Sequence, residues 1–472
     1  MTTSDDLSRR GLLKAGAALG AGAAVAGLSS CASAGAPKGG ATVVSASAGS
    51  DSKNPFGMAP SGNGWVLIPS QGFGLKWLDD MAKGFNRKWP EITIKQDSSK
   101  DMKLTHQAAF TTGPAPEVVF PTGIDSQALS KQGQISDLTS FFDAPSYDGG
   151  KVRDILAPGW ELAATISGQK LEALPFTLNM YALWYSKKVF RDNGWTAPKT
   201  WNDLLALAPE MVKKGIAPIG YDGIHAGYPA NLLWAMVMKQ GGAGVFMAID
   251  ELKPNAWRHP AVKTAADAIA DFRAKGYFMA GSEGLNHTQS QTYWAQGKCA
   301  FIPCGGWLEK ESSDVIPPDY DMGLIPAPAL PGDTMPQTTL MGEPGAQFYV
   351  PVKSANPKFG FEFLRYLATK EASQIFTKET MSLTSGKPEW AEEVATTPGL
   401  KSQIEALKAA GKNLVTTKYA WYGPTYSDPV SSAVTDLFKG AIKGEEFVNR
   451  CQKAADDYAA KPENKPRSRT VG

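Results

Sequence analysis

GQKLEALPFTLNMYALWYSKKVF, residues 168–190, is the stretch on which the reading of this chain turns. A turn at Gly168 leads into an apolar run over 171–174. Pro175 then lacks the amide hydrogen that a sheet ladder needs, and a second strand-like run over 181–185 precedes the paired Lys187 and Lys188. The pattern predicts an extended segment interrupted in its middle, with uncharged Asn179 and aromatic Tyr181 at the break. Such an element suits a hinge whose flanking side chains line a cleft. By periodicity alone it also fits an ordinary strand pair in one sheet.

The 472 residues leave room for two or three domains, and 43% hydrophobic with 20% charged residues is ordinary for a globular chain. With 48 bases against 46 acids and no long run of either sign, nothing favours nucleic acid or an anionic membrane as partner. The N-terminus points outside the cytoplasm. Ser8-Arg9-Arg10-Gly11-Leu12-Leu13-Lys14 reads as a twin-arginine signal, and the Ala/Gly stretch 15–27 has the length of a signal core, too short to span a bilayer. Leu28-Ser29-Ser30-Cys31 resembles a lipoprotein cleavage box, so residues 1–30 are expected to be removed and Cys31 lipidated. The mature chain then carries 45 bases and 44 acids. Its Gly/Ser-rich start, 31–62, reads as a flexible tether. Cys299 and Cys304 are either bridged or buried free thiols, and no Cys/His spacing reads as a metal site; no cofactor is expected.

Beyond the tether, a short strand at 65–68, a loop holding Gln71, Phe73 and Gly74, a helix with Trp77, Met81 and Phe85 at helical spacing, and a strand at 91–95 make a parallel α/β unit. Loops after such strands face a crevice. Asp125 follows the strand 117–120 and either caps the helix 126–132, contacts a ligand, or does both. In the second half, the loop 221–228 offers His225 and Tyr228, each an ordinary loop or core residue or a ligand contact. AQGKCAFIPCGGW, residues 295–307, reads as helix end, turn, strand and a Gly-Gly turn that delivers Trp307. A long loop, 331–345, carries Glu343.

Gly168 to Pro175, then LWYSKKVF at 183–190 and APKTWNDLLAL at 197–207, resemble the first interdomain crossing of the extracellular sugar-binding proteins that feed ABC importers. The likeness is strongest to the N-acetylglucosamine and chitobiose-binding lipoproteins of actinobacterial importers. It rests on Asn54-Pro55-Phe56-Gly57, Gly72-Phe73-Gly74, LKPNAWRHPAVK at 252–263, LNHTQSQTYWAQGKCAFIP at 285–303 and Gly342-Glu343-Pro344. It implies an α/β, periplasmic-binding-protein-like fold of two lobes joined by a multi-segment hinge. Lobe 1 would hold 63–176 and 322–372, and lobe 2 would hold 177–321 and 373–472. It also implies a monomer that captures a saccharide, is held to the membrane through Cys31, and delivers to permease subunits.

A saccharide has hydroxyls around its ring edge and C–H patches on its faces, so its site needs polar groups in the ring plane and aromatic plates against the faces. Phe73, Tyr181, Tyr228 and Trp307 can supply plates; Gln71, Asp125, Asn179, His225 and Glu343 can supply edge contacts. A glycoside hydrolase would instead need two carboxylates facing each other, one with a raised pKa. Asp125 and Glu343 could be cast so, but nothing in their sequence context marks an acid/base pair, and no catalytic residue is expected.

Overall fold

The computed structural model describes residues 44–45, 51–70, 72–157, 159–166 and 170–468. The leader, Cys31 and Gln71 lie outside the described residues. β1 (Ser61–Pro69), β2 (Glu91–Ser99) and β3 (Val118–Val119) form a parallel sheet in the order β2-β1-β3, with the helix Lys76–Lys88 as the crossover expected from its apolar spacing. Trp77, Met81 and Phe85 are buried on it, and Phe85 meets Phe359, Phe363 and Tyr366 of the helix Pro357–Leu367. Together with Phe348, Phe376 and others they make the first core.

Residues 51–62 correct the expectation of a tether. Phe56 and Met58 are buried in the first core, Phe56 against Phe141 and Phe361, and β1 already begins at Ser61. Two apolar side chains suffice to dock a segment whose Gly/Ser-rich composition reads as unable to fold. The carbonyls of Ser52 and Lys53 are held as well, by Arg365 at 3.2 and 2.8 Å.

β4 (Leu174–Ser186) is one continuous strand of 13 residues, not two broken runs. Pro175 is tolerated because β4 there has a ladder neighbour on one side, opposite Gln347, while pairing on its other side begins only at Thr177. The remaining strands of this sheet are β5 (Ala217–Ile219), β6 (Cys299–Cys304), β7 (Met322–Ile325), β8 (Leu340–Phe348), β9 (Leu383–Thr384) and β10 (Leu414–Val415). Their order is β10-β8-β4-β6-β5, with β7 and β9 also paired to β4. Leu174 and Phe176 at the start of β4 belong to the first core. Leu183 near its end belongs to a second, with Trp201, Leu233, Trp234 and Phe301. β8 runs antiparallel beside it and does the same in reverse, from Met341 in the second core to Phe348 in the first. Residues 322–328, which the resemblance assigns to lobe 1, pack instead near the second core: Met322 and Leu324 cluster with Trp184 and Trp294, and Ala327 lies in the second core itself. Cys299, Cys304 and Cys451 are buried free thiols.

Lys239, in the helix Gly227–Gly241, has no exposed surface. Its ammonium donates to the carbonyls of Ala327 and, at 2.7 Å, Gln337, so it pins the long connection between β7 and β8. Burial pulls its pKa down to about 8, against the opposing pull of Asp333. A lysine whose folded value lies below its unfolded value costs stability while both states are charged, and that cost is relieved as pH rises from about 8 towards the free-lysine value. In urea unfolding, the stability of the wild type relative to Lys239→Met should therefore rise between pH 7.5 and 10, by on the order of 3 kcal/mol. A difference that stays flat would show that burial does not disfavour the charged form of Lys239.

Candidate ligand-binding site

Where β4 leaves the first core for the second, its side chains meet the turn after β6. Trp307 is partly buried there, and the rings of Tyr181 and Tyr228 stand nearly perpendicular to its indole, with centroids 5.9 and 6.2 Å away. Edge-to-face packing of this kind holds all three rings in fixed relation. Its support is backbone-deep. The carbonyl of Cys304 accepts from Trp184 Nε1 (3.2 Å), and that of Gly306 accepts from Gln403 Nε2 (3.1 Å). Gly305 is required at its position, since a Cβ there would lie 2.2 Å from the indole of Trp307. The Gly-Gly turn thus does deliver Trp307 onto a shaped seat.

The wall continues through Tyr228, which stacks on His287 (5.9 Å, 5° between planes), and through His287 to His225 (5.7 Å). His225 Nδ1 lies 2.8 Å from Asp222. On the other side Asn179 stands opposite Glu343 in the β4–β8 ladder. Glu343 is therefore a strand residue rather than a loop residue: Gly342 and Gly345, inside the stretch expected to be a loop, instead allow close approach, because a Cβ at either would come within 2.5 Å of Asn179 atoms. Its carboxylate pairs with Lys418 (3.0 Å) and accepts from Thr416 (3.2 Å). Burial first, then the Glu343 carboxylate and the Cys304 thiol, push the Tyr181 hydroxyl upward; burial does the same for Tyr228. Both remain neutral phenols at physiological pH, able to donate to a sugar oxygen.

Phe73 and Asp125 stand on the first-core side. Phe73 packs against Phe120 and Phe376, while Asp125 is exposed and caps the helix Ser126–Lys131 by accepting from Ala128 N at 2.9 Å. The sequence reading missed His287, Gln291, Glu311 and Lys418. Gln291 donates to Glu311 at 2.7 Å, and burial pushes that carboxyl up. The available signal was His287 itself, one of only four histidines, inside a stretch already singled out. The aromatic trio, phenol donors and carboxyl acceptors on one wall can hold a polyhydroxylated ring. Glu343, tied to Lys418, is poorly placed as a general acid.

The diacetylchitobiose binding protein NgcE of Streptomyces coelicolor is 29% identical over 408 residues, covering 85% of this chain and 86% of that protein. A multiple sugar-binding protein of Streptococcus mutans is 21% identical over 63% of this chain and 69% of its own length. Among solved structures, a chitin oligosaccharide binding protein superposes with a TM-score of 0.66 at 17% identity, covering 83% of this chain and 98% of that one. A raffinose complex of the binding protein RafE gives a TM-score of 0.65 at 20% identity, covering 84% and 99%. These likenesses establish the two-lobed fold. The family model for bacterial extracellular solute-binding proteins matches residues 74–374, and the chain belongs to that family.

Proposed function

We propose that the solute is N-acetylglucosamine or chitobiose, captured by this chain as the extracellular sugar-binding component of an ABC importer. The observation that carries the reading is the packed trio Tyr181, Trp307 and Tyr228, flanked by Asn179, Glu343 and His225. The likeness to a diacetylchitobiose binding protein supports the acetylated sugar. Asp125, Phe73 and Gln71 would contribute from the opposite lobe. Four or five such contacts, less the cost of ordering, correspond to roughly −8 kcal/mol, a micromolar Kd or better. The protein binds rather than transforms its ligand, in keeping with its family.

The two cores are taken as two lobes, with the chain passing between them at β4, at β8 and between Trp390 and Trp421, so that hinge bending there closes the cleft. Titration calorimetry with N-acetylglucosamine, chitobiose, cellobiose and maltose tests the ligand, and small-angle scattering with the tightest sugar tests closure. Tightest binding of an acetylated sugar and a contracting particle are expected. Preference for cellobiose or maltose would discard the chitin-derived ligand, and an unchanged radius of gyration at saturation would discard the closure.

Export by the twin-arginine route, anchoring through lipidated Cys31 and a monomeric state complete the proposal. Cys31→Ala should release the protein from the membrane into the medium. Retention of that variant in the membrane fraction would remove Cys31 as the anchor.

A further inference from the structure

Two of the four histidines of the chain meet on the wall of the candidate site, although 62 residues of sequence separate them. His225 sits in the loop after β5, and His287 opens the helix His287–Ala295. Asp222, only 1% exposed, joins them: one ligand atom from each of the three lies within 4.8 Å of the other two. Oδ1 of Asp222 accepts from the backbone N–H groups of Ile224 (2.9 Å) and His225 (2.8 Å), while Oδ2 lies 2.8 Å from His225 Nδ1. A carboxylate oxygen only accepts, so with no cation present Nδ1 carries the proton that bridges the two side chains. A cation held by Asp222 and His225 together takes the place of that bridging proton, between Oδ2 and Nδ1.

We propose that His225, His287 and Asp222 form a site for a borderline divalent cation, zinc(II) in the first place. Two imidazoles and one carboxylate are a donor set that suits this ion, with further positions left for water or a solute oxygen. Bonds of about 2.0–2.1 Å put tetrahedral ligand atoms roughly 3.4 Å apart, so the Asp222–His225 pair at 2.8 Å must open by about half an ångström while His287 stays within the same 4.8 Å cluster. His225, with a side chain 53% exposed, has the freedom to move. Glu311, held by Gln291 at 2.7 Å, lies near enough to His287 to interact with it electrostatically. The site stands whether or not the solute is a sugar.

The test uses the exported protein, without a histidine tag and stripped by a chelator, titrated with ZnCl2 by calorimetry and with cobalt(II) by visible absorption, no sugar being present. One equivalent of zinc should bind with a micromolar dissociation constant, and cobalt should show the intense bands of low coordination number. His225→Gln, at an exposed position, and His287→Ala should each weaken binding at least tenfold without lowering the metal-free melting temperature by more than a few degrees. Zinc binding to the wild type no tighter than to the His225→Gln/His287→Ala double variant would overturn the proposal. So would an unaffected affinity in either single variant.

Discussion

Trp307→Ala is expected to weaken chitobiose binding about thirtyfold, roughly 2 kcal/mol, while the melting temperature stays within a few degrees of the wild type. The expectation separates two roles that the side chain could have. A fully buried tryptophan cut to alanine costs about 3–5 kcal/mol of stability. Trp307, however, is only partly buried, touches Tyr181 and Tyr228 edge-on, and lies at the margin of a cluster whose centre is Trp184 and Trp294. Its seat is built from backbone held by Trp184 and Gln403, so removing the indole leaves the turn intact. Gly305→Ala supplies an independent probe. Its new methyl would lie 2.2 Å from Cζ3 of the indole, which must move, so affinity should fall although no contacting side chain has been removed. If Trp307→Ala instead melted far lower and bound sugar as the wild type does, the ring would be a packing residue.

Much of this wall was legible in the sequence because its pieces lie at punctuated positions. Trp307 follows two glycines, Tyr181 starts a strand-like run just after the Pro-Phe-Thr interruption, and Tyr228 opens a helix after a loop. What misled was the meaning of proline and glycine inside strands. Pro175 reads as a break, yet it occupies a stretch of β4 with a neighbour on one side only, and the strand runs through. Gly342 and Gly345 read as loop residues, yet they mark where β8 approaches Asn179 too closely for any Cβ. Neither fact can be known without the partner strand. The same holds for the segment 51–62, whose composition reads as unfolded although the pockets that receive Phe56 and Met58 are built by residues about 90 and 300 positions further on. The meeting of His225 with His287 is again a product of tertiary folding, since the two lie 62 positions apart and no Cys/His spacing links them.

Arg365→Met should destabilise the protein by about 3–5 kcal/mol, the largest effect expected of any single substitution considered. Arg365 and Glu362 are both wholly buried, paired at 2.6 Å one helical turn apart. The guanidinium also donates to the carbonyls of Ser52, Lys53 and Pro145 and lies 3.7 Å over the ring of Tyr147. Removing it leaves a buried carboxylate whose remaining side-chain partner is the Tyr147 hydroxyl. Burial already raises the Glu362 pKa against the pull of Arg365, so without Arg365 it must rise further. The sign of the pH dependence follows. A carboxyl whose folded pKa lies above its unfolded value favours folding when protonated, and that advantage is lost as pH rises through the interval between the two values. The deficit of Arg365→Met relative to the wild type, measured by urea unfolding, should therefore be large at pH 7.5 and shrink towards pH 5. Replacing both partners, Glu362→Leu with Arg365→Met, should recover the part due to the stranded charge but not the three backbone carbonyls, each of which costs about 1 kcal/mol or more when left without a donor. Full recovery in the double variant would mean that the N-terminal segment does not depend on Arg365. A single variant as stable as the wild type would mean that water reaches Glu362 and the pair is not buried in solution.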